Sequence, residues 1–126
     1  MITFWVPGKP VSKGRISYSR QGRGYYTNQA ELEPWQTIIG SYAKQAGVKF
    51  IDGAVKVELR FQLLKPASVK REFPSVLPDL DKYIRAVFDS LTKIAYKDDG
   101  QVVSVQATKI YSDTQGVEIT VGALLH

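Results

Sequence analysis

Hydrophobic spacing along this chain switches between two periods, and the switches mark its elements. Residues 2–6, Ile-Thr-Phe-Trp-Val, read as a short strand that Pro7 and Gly8 end. A polar stretch follows to about Asn28. Trp35, Ile38, Ile39, Tyr42, Ala43 and Ala46 then recur at three- and four-residue steps, the spacing of one helical face, and Gly47 stands where a C-terminal cap belongs. Asn28 and Glu31 have the spacing of a capping box, but Pro34 would then lie inside the helix, which favours a start near Glu33. Residues 54–62 alternate strictly, with Val55, Val57, Leu59 and Phe61 on one face and Lys56, Glu58, Arg60 and Gln62 on the other, as in a half-buried strand. Residues 65–78 carry three prolines and no period, and read as a loop. A second helix follows, its buried stripe formed by Leu80, Ile84, Val87, Phe88 and Leu91. Residues 101–110 and 117–123 read as two more strands, joined through Tyr-Ser-Asp-Thr-Gln-Gly as a hairpin. This order predicts an α+β fold in two layers: a mixed, mainly antiparallel sheet of about four strands, with two helices on one face.

The chain has 126 residues, 44% of them hydrophobic, enough for one ordinary core, so residues 1–126 are expected to form a single domain. No apolar run approaches the length a bilayer needs, and the opening has no charged leader, so a cytoplasmic location and no membrane partner are expected. Cysteine is absent and the single histidine is His126, which excludes disulfides and zinc-thiolate sites. A metal would be held by oxygen ligands, which favours Mg²⁺ or Mn²⁺. Charge is unevenly distributed. Lys9, Lys13, Arg15, Arg20 and Arg23 are the only charged side chains before Glu31, whereas residues 31–126 hold twelve basic and twelve acidic ones. The whole +5 excess therefore sits in a basic arm at about residues 8–27, interleaved with Tyr18, Tyr25 and Tyr26. That pattern suits a mobile segment meeting phosphates, or an ordinary solvated loop.

The second helix carries acids at both ends, in Pro-Asp-Leu-Asp-Lys at 78–82 and Asp-Asp-Gly at 98–100. Residues two apart point nearly opposite ways within a helix but share a face in extended chain. Asp79 and Asp81 can therefore converge if Asp79 is still extended, which Pro78 favours by placing Asp79 at about the N-cap. Capping and the helix dipole account for Asp79 and Asp81 by themselves, at about 0.5–2 kcal/mol per cap, and Asp-Asp-Gly is also an ordinary turn. Arg85 and Asp89 follow Asp81 at one and two turns and are expected to form a surface ion pair worth about 0–1 kcal/mol. If the strand starting at Gln101 ran beside the start of the helix, the preceding turn would bring Asp98 or Asp99 to Asp79 and Asp81. Three such carboxylates repel unless they take up protons or a divalent cation.

Residues 78–103, Pro-Asp-Leu-Asp-Lys-Tyr-Ile-Arg-Ala-Val-Phe-Asp-Ser-Leu-Thr-Lys-Ile-Ala-Tyr-Lys-Asp-Asp-Gly-Gln-Val-Val, resemble the signature of the RusA family of Holliday junction resolvases. These are metal-dependent endonucleases of phages and prophages. The shared pattern is Asp-Leu-Asp, a helix containing Phe-Asp-x-Leu, and Asp-Asp followed by Gln-Val-Val. Residues 6–28 likewise resemble the family's Gly-x-Pro-x-x-Lys-x-Arg opening, here Gly8 to Arg15. The resemblance implies paired nicking of four-way DNA junctions in recombination and repair. Asp79, Asp81 and Asp99 would be catalytic and metal-binding, and Mg²⁺ or Mn²⁺ the cofactor.

The family usually has lysine where Arg85 stands; arginine keeps the positive charge but does not donate a proton as lysine can, so Arg85 is assigned to the phosphate charge. Lys82 stands where asparagine is common, and Asp98, Asp89 and Lys82 are secondary candidates. Basic residues usual just before the motif are displaced upstream, to Lys65, Lys70 and Arg71. Lys9, Lys13, Arg15, Arg20 and Arg23 would grip backbone phosphates of four-way junction DNA. Two strands must be cut, so the resemblance also implies a homodimer, with a strand edge or the Trp35 helix as interface. The Arg85 and Lys82 departures leave a branched-DNA-binding protein that keeps the fold without cleaving as the alternative. An RNA-binding module or small phosphatase has no support, since no RNP-type aromatic motif or phosphate loop is present.

Overall fold

A computed structural model describes residues 1–125, the side chain of Tyr26 excepted; His126 lies outside the described residues. Among them the elements run β1 (Ile2–Pro7), β2 (Ile16–Tyr18), β3 (Gly24–Tyr26), α1 (Gln29–Gln45), β4 (Val55–Leu63), α2 (Leu80–Leu91), a 3₁₀ turn (Asp99–Gln101), β5 (Val102–Tyr111) and β6 (Gly116–Ala123). β1, β4, β5 and β6 form one mixed sheet in the order β1-β6-β4-β5, in which only β4 and β5 are parallel. The fold is α+β, as the alternation of elements predicts. β4 keeps the expected alternation, burying Val55, Val57, Leu59 and Phe61 while Arg60 is exposed. Both helices cover this buried face, α1 toward β1 and α2 toward β5. α1 packs closely at Gly40 against the end of α2 and the segment after it, where a Cβ would lie 3.8 Å from the Ser90 carbonyl and 3.2 Å from Ile94 Cδ1.

The strands at 102–111 and 116–123 do not form the expected hairpin, because β4 lies between them. The link at 112–115 passes the end of β4, where the Ser112 amide donates to the Leu63 carbonyl at 2.8 Å. Four extended residues reach roughly 13 Å, enough to step over one strand to the next place about 9.6 Å away. Alternation shows which face of a strand is buried but leaves its neighbour open, and β4 takes an interior place between β6 and β5. The consequence for the site is large. β4, α2 and β5 form a parallel crossover unit, in which the helix runs back against both strands.

α1 begins at Gln29, earlier than Pro34 suggests, and Pro34 lies inside it. Asn28 occupies the N-cap position, yet its side chain makes no capping bond. Its Nδ2 donates to the Ser12 carbonyl at 2.7 Å and its Oδ1 accepts from the Gly14 amide at 2.8 Å, so the polar arm rather than the helix uses it. The arm is itself partly structured. β2 and β3 pair antiparallel as a small hairpin, a feature the sequence pattern does not reveal. The Thr27 amide donates to the Arg15 carbonyl at 2.9 Å and the Ser19 amide to the Arg23 carbonyl at 2.8 Å. Gly47, with φ 80°, ends α1 as expected, since a left-handed residue costs glycine least.

Candidate active site

Asp79 stands at the N-cap of α2 in extended backbone (φ −67°, ψ 143°), the position expected just after Pro78, but its carboxylate accepts no capping hydrogen bond. Capping therefore does not account for this side chain, and it remains exposed. The carbonyl of Asp79 accepts from the Lys82 amide at 3.2 Å and the Tyr83 amide at 3.4 Å, starting the helix. Asp81 lies in the first turn. Asp81, Arg85, Phe88 and Asp89, with Asp99 and Lys13 from other segments, line one open cleft of about 480 Å³. Asp79 is not among its lining residues.

The turn that returns the chain to this cleft divides the work between two adjacent acids. Asp98 accepts the Gly100 amide at 2.7 Å through its carboxylate, and Gln101 Oε1 accepts the Lys97 and Asp98 amides at 2.9 and 3.2 Å, forming a capping box. Gln101 Nε2 also donates to the Ile51 and Gly53 carbonyls, both at 2.9 Å, and so fastens the turn to the chain before β4. Asp98 is thus occupied in the turn, while Asp99 faces the cleft. Tyr96, fully buried, donates its hydroxyl to the Phe88 carbonyl at 2.8 Å and joins this turn to the end of α2. Burial, and then the charges of Asp99 and Asp89, push its phenol well above the ordinary tyrosine value.

The third acid arrives at a different place from the one expected. β5 runs against α2, so its beginning lies near the last turn of the helix and its far end, at Lys109, lies beside Pro78. Asp99 consequently enters the cleft toward Asp89 rather than beside Asp79. Eight residues of helix separate Asp81 from Asp89, roughly 12 Å at 1.5 Å per residue. The carboxylates are strung along one face of α2, and among the described residues no group of three or more His, Cys, Asp or Glu is gathered closely enough to hold a metal ion by itself.

The basic arm frames this face. Lys13 forms an ion pair with Asp89, and its amide donates to the Lys82 carbonyl at 3.2 Å. Asp89 therefore pairs with the arm rather than with Arg85, because Lys13 is carried into the cleft by the Asn28 clamp one residue away. Lys82 contributes its backbone to that contact. Lys9 borders a neighbouring cleft of about 380 Å³ together with Pro78 and Tyr83, on the Asp79 side. Arg15, Arg20 and Arg23 are exposed on and around the small hairpin.

The profile of the family described as endodeoxyribonuclease RusA matches residues 7–122, nearly the whole chain. The chain belongs to the RusA family. That span takes in the arm from Lys9, the acids of α2 and the Asp99 turn. An uncharacterized Bacillus subtilis (strain 168) protein, YqaN, is 31% identical over 134 aligned residues, covering 95% of this chain and 94% of YqaN. RusA-family membership supports an endodeoxyribonuclease. No helix among the described residues is long and apolar enough to cross a membrane. Three residues that shape the site escape the sequence reading: Asn28 as the arm's clamp, Tyr96 as the tie between helix and turn, and Lys109 beside Pro78. Only Asn28 carried any signal, and it pointed to a different role.

Proposed function

We propose that this RusA-family protein resolves four-way DNA junctions by paired, Mg²⁺-dependent nicks. The observation that carries the reading is the single cleft in which Asp81, Asp99, Arg85 and Lys13 meet beside the basic arm. Magnesium is commonly held by one or two carboxylates, with substrate phosphate and water completing its shell. Asp81 and Asp99, which line the cleft, fit that manner of binding in donor chemistry; Asp79, uncapped at the helix start and outside the cleft lining, is proposed as a further ligand for an ion at the Asp81 end of the cleft. A divalent ion held there, Mg²⁺ or Mn²⁺, would supply charge neutralisation at the phosphate and an activated water.

The chain's own side chains would do the rest. Arg85 would donate to the phosphate oxygens in a fixed planar fork. Lys13 would add a second positive charge once the phosphate competes with Asp89 for it. Lys9, Arg15, Arg20 and Arg23 would hold flanking backbone phosphates, so selectivity would rest on junction shape more than on base edges. Two nicks of matching polarity require two equivalent sites, hence a two-fold homodimer.

The test incubates wild type, Asp81→Asn and Asp79→Asn with labelled four-way junction, linear duplex and single strand, in Mg²⁺ or EDTA. Symmetric, metal-dependent nicks on the junction alone, lost in both variants while binding persists, are expected. Tight junction binding without nicking by wild type would support the non-catalytic alternative, which the absence of a closed three-carboxylate group among the described residues keeps in view.

A further inference from the structure

We infer that Lys109 is a positioning residue that sets the start of α2, and with it Asp79 and Asp81; the inference rests on the nuclease reading for its consequence in catalysis. Residues 64–79 form neither helix nor strand, so nothing regular fixes the direction in which the chain enters α2. Leu77, the residue before Pro78, is 79% exposed and brings no packing of its own. Lys109 Nζ supplies the missing constraint. It donates to the Val76 carbonyl at 2.7 Å and to the Pro78 carbonyl at 2.8 Å, gripping both sides of Leu77 and the residue directly before Asp79.

The grip belongs to a closed ring of contacts. Lys109 lies opposite Phe61 in the parallel register of β5 and β4. Phe61 stacks on Tyr83 of α2 with ring centroids 5.2 Å apart, and the Tyr83 amide returns to the Asp79 carbonyl. Sheet, helix and entry segment thus close on one another around Asp79. Two residues along the same face of β5, the ring of Tyr111 lies beneath Lys65 Nζ at 5.8 Å and the Arg71 guanidinium at 6.0 Å, so β5 holds the long loop at both ends. An ammonium carries three donors and no acceptor, and its bonds to carbonyls are charge-assisted. Methionine keeps the stem but donates nothing; arginine could span the same two carbonyls.

The experiment compares wild type, Lys109→Met and Lys109→Arg as full chains. Amide exchange at Lys82 and Tyr83, whose N–H groups donate to Asp79, is expected to quicken about tenfold in Lys109→Met and to recover in Lys109→Arg. On junction DNA, kcat should fall about tenfold or more with KM held within about twofold, and the Mg²⁺ needed for half-maximal rate should rise. Exchange unchanged at those two amides would overturn the inference. So would an equal quickening at core amides of β4, since that is general destabilisation. A wild type that binds junctions but never nicks them would sink the nuclease reading alone, and the exchange data would still decide whether Lys109 holds the helix start.

Discussion

Asp98 and Asp99 are chemically identical neighbours with different employment. Asp98 caps the 3₁₀ turn, so Asp98→Ala should cost about 1 kcal/mol in urea unfolding. Asp99 faces the cleft, and Asp99→Asn should move stability by less than about 0.5 kcal/mol while abolishing nicking. Tyr96 offers a separate check through pH. Its folded phenol is raised above its unfolded value by burial and by Asp99 and Asp89, so the folded state keeps a proton that the unfolded chain releases. The associated stability is fully present below pH 10 and is lost as pH rises beyond it, by at most about 1.4 kcal/mol per pH unit. Tyr96→Phe should remove that share of the alkaline slope, leaving the part from Tyr83, which burial shifts the same way. At neutral pH the variant should lose about 0.5–1.5 kcal/mol, since Thr92 still donates to the Phe88 carbonyl. Denaturation curves at pH 7, 10 and 11 measure both effects.

At the scale of elements, the arm and the β4-α2-β5 unit shape the site. The helical periods of α1 and α2 and the alternation of β4 were legible because burial of one face imposes them directly. Partner choice was not, for β6 inserts beside β4 through backbone hydrogen bonds that carry no signature of the side chains. The arm was legible as charge, but its hairpin has only three residues per strand and no apolar pattern to announce it. Asn28→Ala tests whether its clamp holds the arm. It should leave helix content by circular dichroism unchanged, because the side chain caps nothing, while trypsin cuts faster at Arg20 and Arg23 and junction binding weakens.

For the whole molecule, the placement of charge sets the manner of binding. Net charge is +5, and the excess lies in the arm that borders the cleft. Junction affinity should fall steeply with salt, and Arg20→Ala with Arg23→Ala should flatten log K against log salt by about 0.9 for each phosphate that is no longer neutralised. A titration by fluorescence anisotropy at several salt concentrations reads the slope. An unchanged slope would take those two arginines out of the interface.

What the linear order of residues determined here is whatever depends on near neighbours: the periods of helix and strand, the extended entry at Asp79 before α2, the basic arm, and the acidic signature of α2. Each follows from contacts or exclusions within a few positions of the chain. What only the tertiary structure decided is which distant groups meet. The crossover that sets α2 against β5 sends Asp99 toward Asp89, hands Asp89 to Lys13, and brings Lys109 under Pro78. Those pairings depend on strand order and helix direction, which are settled by packing the whole sheet at once.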